Sequence, residues 1–279
     1  MNRFLIVIFA SALLMFSCKG NKTAGGNDDV VVDSDSTADT AVVDTMEQLI
    51  AETPMPKAAD ELFDDFFFNF AANHKLQLKR IKFPLPVMRN NKVDSITHSK
   101  WKMEHFFMRQ GYYTLIFDNR KQMDLVKDTS VGDVTVEKVF FRIKTIKQYV
   151  FKRINGLWML NAINIKPLYK NNNASFLKFY QRFARDTAYQ VRSLSDPVAF
   201  TGPDPDDDFS EMEGVITPDT WSAFAPELPS KMIYNIIYGQ KYKESNYKIF
   251  VIRGISNGQE LEMTFKRKHG KWLLIKLAT

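Results

Sequence analysis

Phe151-Lys152-Arg153-Ile154-Asn155-Gly156-Leu157-Trp158-Met159-Leu160 decides how this chain is read, because it returns near the C-terminus as Phe265-Lys266-Arg267-Lys268-His269-Gly270-Lys271-Trp272-Leu273-Leu274. In both places an alternating run enters an Asn-Gly or His-Gly turn and leaves through a Trp-led apolar run, the pattern of a tight β-hairpin. Two-residue loops put Arg153 opposite Trp158 and Arg267 opposite Trp272. A guanidinium facing an indole across two strands contributes roughly 0.5–1 kcal/mol at an exposed site. The role is structural, since the pair repeats with the hairpin and needs no ligand.

Working outward, a second repeat appears upstream of each hairpin. Asp60 precedes Phe63, Phe66, Phe67 and Phe70, which lie at i, i+3, i+4 and i+7 and predict one apolar helix face with Asp60 as N-cap. At an offset of 113, Asn173 takes the cap and Phe176, Phe179, Tyr180 and Phe183 take the face. The register holds through Ala71/Ala184, Gln77/Gln190 and Pro84/Pro197. Six of the 26 positions from 60 to 85 are identical, where unrelated segments share roughly one or two. Ile96-Thr97 with Trp101 then matches Ile216-Thr217 with Trp221, each predicting a short capped helix that carries Trp. That offset is 120, so the second copy holds seven extra residues, which coincide with the acidic stretch 204–213 and are read as a solvated loop. Strands are predicted at 112–117, 134–144, 147–153 and 157–165, then at 232–238, 247–255, 260–267 and 271–277. Helices first and an antiparallel meander afterwards is an α+β order.

The chain has 279 residues, 45% of them hydrophobic and 13% aromatic, enough for two packed domains. Met1-Asn2-Arg3 and the apolar run 4–16 predict a signal peptide, too short for a membrane span. Cys18 is the lone cysteine, which excludes an intramolecular disulfide. Residues 19–56, with no aromatic residue and six Asp, predict a disordered acidic tether. Through Met46 there are three basic and six acidic residues, so the net charge of +6 leaves about +9 on the folded part. The cations are spread without dense clusters, and nucleic acid is not expected as a partner.

Cys18, just after the signal run and preceded by Ser17, resembles the lipobox of bacterial lipoproteins, where that cysteine is lipidated. The helix, strand, Trp segment and meander ending in Phe-Lys-Arg-x-x-Gly-x-Trp resemble a tandem of nuclear-transport-factor-2-like (cystatin-like) domains. The chain is similar to an uncharacterised family of Bacteroidetes lipoproteins built this way. The resemblance implies an α+β fold of two tandem domains, 57–169 and 170–279, each with N-terminal helices packed on a curved antiparallel sheet around a cone-shaped pocket. It also implies a lipid-anchored protein of the cell envelope, at the outer membrane on its periplasmic face or the cell surface. Single domains of this fold often dimerise sheet to sheet, so an internal pseudo-dimer in a monomeric chain is expected.

Chemistry is weakly signalled. No catalytic motif accompanies the resemblance, and no Gly-rich phosphate loop, zinc-ligand spacing or Gly-x-Ser-x-Gly elbow is present. No cofactor and no metal is expected. The acidic stretch fails as an EF-hand, with Phe209 where Gly is needed and Val215 where the bidentate Glu belongs. An enzyme of this fold would need a buried acid or base, for which His105, one predicted turn after Trp101, with Tyr112 or Tyr113 as donor, are the candidates. Trp101, Trp221, Tyr234 and Tyr238 are candidates for lining a ligand pocket. The first expectation is non-enzymatic binding of a small ligand, glycan or envelope protein; the alternative is an isomerase or dehydratase acting in one cone.

Overall fold

The computed structural model describes residues 57–204, 206–241 and 245–279, so Cys18, the signal run and the acidic tether lie outside the described residues. A 3₁₀ turn at Lys57–Asp60 leads into α1 (Phe63–Ala72) and α2 (His74–Arg80). Strands β1 (Leu85–Arg89), β2 (Lys92–Ile96), β3 (Tyr112–Phe117), β4 (Asp133–Phe140), β5 (Thr145–Ile154) and β6 (Leu157–Pro167) follow. The order then begins again with α3 (Ala174–Phe183), α4 (Thr187–Val191), β7 (Leu194–Asp204), β8 (Asp207–Ile216) and α5 (Trp221–Phe224). It closes with β9 (Met232–Ile237), β10 (Tyr247–Gly254), β11 (Glu260–Lys268) and β12 (Lys271–Ala278).

Both quoted hairpins form as read. Asn155 and Gly156 have φ of 50° and 81°, and His269 and Gly270 have φ of 48° and 79°, the two left-handed residues that a type I′ turn requires. Strand register sets Arg153 opposite Trp158 and Arg267 opposite Trp272. The Arg153 guanidinium stands 5.6 Å from the Trp158 ring and also donates to the Thr129 carbonyl at 2.6 Å, so it ties the hairpin to its neighbours. Pro84 and Pro197 both follow cis peptide bonds.

Helix α1 buries Phe63, Phe66, Phe67 and Phe70, and α3 buries Phe176, Phe179, Tyr180 and Phe183, the two predicted faces. The expected cap is different. Asp60 stops short of α1, whose N-cap is Leu62, and accepts both guanidinium nitrogens of Arg80 at 2.7 Å and the Trp158 backbone N–H at 3.0 Å. A bidentate charged pair beneath a tryptophan is a stronger partner than a helix N–H.

The twelve strands form one sheet in the order β2-β1-β6-β5-β4-β9-β3-β10-β11-β12-β7-β8. Exchanging β1–β6 with β7–β12 turns this order into its own reverse. Two strands sit in the opposite half: β3 pairs along β10, and β9 pairs along β4. The seam between β3 and β9 is parallel, so the two-fold that exchanges the halves runs along the strands and turns the sheet over. The cores obey this geometry. On β3, Tyr113, Leu115 and Phe117 face the core beneath α1 while Ile116 faces the core beneath α3, as the period of two demands. Thus the separate sheets expected for 57–169 and 170–279, and their sheet-to-sheet stacking, are replaced by one shared sheet with a core on each side.

Polar groups fix the exchanged strands in register. Thr114 Oγ1 donates to the Tyr234 carbonyl at 3.0 Å across the seam. Lys248 on β10 donates to Asp118, directly after β3, and to Asn173 Oδ1 at 2.6 Å, with both members of the ion pair buried. Glu137 on β4 is fully buried and accepts amide hydrogen bonds from Gln148 (2.7 Å), Asn171 (2.6 Å) and Asn235 on β9 (3.3 Å). Burial still pushes its pKa up, against those three bonds.

Two further expectations are corrected. The acidic stretch is no loop: it extends the hairpin β7–β8, of 11 and 10 residues against five and five in β1–β2. Charged residues suit it, because β8 is the last strand and charges protect an open edge from unwanted pairing. Trp101 lies in extended backbone after a 3₁₀ turn, His98–Lys100, where Thr97 makes no side-chain cap, and Trp221 opens a four-residue helix whose N-cap position falls on Thr220 rather than the expected Thr217, again without a side-chain bond. The indoles are placed instead by buried hydrogen bonds.

Candidate functional site

The interior beneath α1 holds two carboxylates among phenols. Asp64, in the first turn of α1, accepts a hydrogen bond from Tyr238 and one from Tyr113 at 3.5 Å. Burial pushes its carboxyl above the ordinary Asp value, because the two hydroxyls and Arg253 only partly offset lost hydration. The Tyr113 hydroxyl is in turn pushed up to about 12, by burial and by the Asp64 charge. Glu104 accepts from Tyr149, from Tyr234 at 3.4 Å and from Lys138 at 3.2 Å, with Lys147 at 3.8 Å. Burial raises its pKa too, but the Tyr149 bond and the two ammoniums outweigh this and hold the carboxyl below the usual Glu range. The lysines lie over the rings they flank, Lys138 5.1 Å from Tyr234 and Lys147 4.6 Å from Tyr149.

These opposite shifts set opposite pH dependences. A folded pKa above the unfolded one gives Asp64 a contribution that is complete below about 3.8 and is lost as pH rises through the folded value. A depressed pKa gives Glu104 a contribution present above about 4.5 and lost as pH falls through the folded value. Relative to the parent, Asp64→Asn is therefore expected to gain stability as pH rises from about 4 toward neutrality. Glu104→Gln is expected to be most destabilised near neutrality and to recover in acid. Urea midpoints across this range check both signs, and parallel profiles for the two variants would contradict them.

The sequence candidates fall in different places. His105 is half-buried in a turn and is not on a helix with Trp101. Tyr112 and Tyr113 are neighbours on one strand and point to opposite faces: Tyr113 to Asp64, Tyr112 into an outer cleft of about 880 Å³ with Pro203 and Pro226. Trp101 donates its indole N–H to Gln77 Oε1 at 3.0 Å, and Trp221 does the same to Gln190 Oε1 at 3.0 Å. Gln77 also donates to the Phe70 and Glu104 carbonyls, and Gln190 to the Phe183 carbonyl, so each glutamine joins helix to Trp segment. Tyr234 and Tyr238 are buried on the carboxylates described above. Nothing in the sequence marks Asp64 and Glu104, since one acid in a first helical turn and one in a loop are ordinary placements.

Around these carboxylates the volume is filled by rings. Phe106 packs on Phe67 and Tyr149 at 4.8 Å each, Phe107 stacks on Tyr113 at 4.9 Å, and Phe63 meets Trp158 at 5.1 Å. Four outer clefts of about 470, 580, 880 and 500 Å³ are not lined by Asp64, Glu104 or their phenols. Among the described residues no three His, Cys, Asp or Glu side chains converge as metal ligands would.

A crystal structure of an NTF2-like protein from Bacteroides fragilis NCTC 9343 is similar to this chain, with 42% sequence identity and a TM-score of 0.74 over 81% of this chain and 98% of that one. No curated protein matches. The fold is NTF2-like, as the resemblance in the sequence implied. The family model described as a domain of unknown function, DUF4348, matches residues 42–279, and the chain belongs to that family.

Proposed function

We propose that this chain is a non-enzymatic binding protein of the cell envelope, anchored in the outer membrane through lipid on Cys18 and built from two NTF2-like copies that have exchanged a strand. The observation that carries the reading is the ring-filled interior beneath α1, where only the rim, with the Glu104 side chain 21% exposed, meets solvent. An acid or base in a cone acts on a substrate only where the cone has room for one. Here Asp64 and Glu104 spend their hydrogen-bonding capacity on tyrosines and lysines of the same chain, and phenylalanines occupy the rest. Binding then belongs to the outer surface. The exchange of β3 and β9 supports the duplication, because each copy completes the other's sheet by the same rule.

One observation favours the alternative of an isomerase or dehydratase: Asp64, with its raised pKa, faces two phenols, an arrangement suited to proton transfer. It requires the rings around Asp64 to part. The anchoring is tested by fractionating cells that express Cys18→Ser. The variant is expected to leave the membrane fraction for the soluble one, and the parent's mature N-terminal peptide to carry acyl mass. A parent found in the soluble fraction defeats the anchor. Unbiased mass spectrometry on protein purified from its own host tests closure, and a stoichiometric small molecule retained by the parent but lost from Asp64→Asn would defeat it.

A further inference from the structure

We infer that the cleft between α3, α4 and the β11–β12 turn is a binding site for an acidic polysaccharide. This rests on the reading that binding occurs outside a closed interior. The cleft encloses about 470 Å³, and Lys178, Arg182, Arg192 and Lys271 line it with no carboxylate among them. Asp186 pairs with Arg182 Nε at 3.5 Å from outside that lining and has its other oxygen on the Tyr189 backbone N–H at 2.8 Å. The Arg182 guanidinium lies 4.2 Å from the Tyr189 ring, which holds it over the cleft. Trp272 closes one wall, its indole N–H donating to Ser175 Oγ at 3.3 Å.

A second cleft of about 500 Å³ shares Ser175 and Lys178 with the first and adds Lys144 and Tyr169. The Tyr169 ring is 74% exposed. Together the two clefts form a track of five cations passing the start of α3. In the first half the corresponding track does not exist. Position for position, Lys178, Arg182 and Lys271 answer to Asp65, Asn69 and Leu157, Arg192 alone keeps its charge as Lys79, and Ser193 answers to Arg80. The first half fills the place beside its hairpin tryptophan with the Arg80–Asp60 ion pair, whereas Ser193 leaves that place to the cleft. One copy is plugged and neutralised while the other is open and cationic.

The track selects among polyanions. Its walls are helices and a hairpin turn, with no free strand edge on which an acidic peptide could pair its backbone. It offers an exposed phenol face of the kind on which a pyranose ring stacks, serine hydroxyls, and guanidiniums suited to bidentate carboxylate or sulfate. Carboxylated and sulfated sugars share this chemistry.

Calorimetry on the full chain at about 0.15 M salt, where surface electrostatics alone are strongly screened, separates the cases. Probes are polygalacturonate, dextran sulfate, neutral dextran, polyglutamate and polyphosphate. At least one of the first two is expected to bind. Lys178→Gln/Lys271→Gln, both at exposed positions, is expected to weaken it tenfold or more, whereas Lys75→Gln/Lys92→Gln, which removes the same charge from the first half, changes it less than twofold. Binding of neither acidic polysaccharide, equal losses in the two double variants, or equal affinity for polyglutamate or polyphosphate overturns the inference. Binding abolished by Asp64→Asn but untouched by Lys178→Gln/Lys271→Gln would overturn the closed interior itself.

Discussion

Replacing Lys248 with methionine is expected to destabilise the fold by about 3–5 kcal/mol, read as a lowered urea midpoint at unchanged slope. Its ammonium and the Asp118 carboxylate are nearly excluded from solvent, with side-chain exposures of 4% and 8%. Removing one partner leaves the other charge with little access to water to replace it. The ion pair also stitches β10 to the end of β3, so the loss falls on the strand exchange itself. Replacing both, as Asp118→Leu with Lys248→Met, removes the orphaned charge and is expected to restore most of the stability. A single variant costing less than about 1 kcal/mol would show that water reaches the pair.

Phe70→Ala and Phe183→Ala are each expected to cost about 3–5 kcal/mol. Both side chains are fully buried and occupy equivalent positions under α1 and α3. Phe70 loses ring contacts with Phe66, Phe106 and Phe151 at 5.3–5.9 Å, and Phe183 loses Phe179 and Phe265 at 5.4 Å. The informative part is where the loss appears. Because β3 and β9 serve both sides of the sheet, either truncation should lower the midpoint of the whole chain. Trp101 and Trp158 report on one core, and Trp221 and Trp272 on the other. Variants retaining only one pair are expected to show coincident unfolding curves; separated midpoints would mean that the halves are independent.

Sequence carried the local physics well. Phenylalanines at helical spacing and Asn-Gly or His-Gly turns speak through near neighbours, and the structure places both as read. Which strand meets which is a different matter. Tyr112-Tyr113-Thr114-Leu115-Ile116-Phe117 and Met232-Ile233-Tyr234-Asn235-Ile236-Ile237 are apolar on both faces and of equal length, so either fits beside β4 or β10 and periodicity cannot choose between them. The choice is written in distant polar pairs such as Asp118 with Lys248 and Glu137 with Asn235, which carry no spacing signal. The same limit hid the carboxylate sites. Glu104 acquires its phenols from β5 and β9, and Asp64 acquires Tyr113 from β3 and Tyr238 from just past the end of β9. The acidic hairpin misled for another reason: charge density reads as loop unless the strand is known to lie at an edge.

The exchange also orders events in time. As the chain is made, the place between β4 and β3 stays open until Met232–Ile237 exists, and β3 waits for a partner more than a hundred residues downstream. Loop closure over such spans is slow. Neither half has its full set of strand neighbours until the other is made. The sheet therefore stays unfinished until the last quarter of the chain has been made.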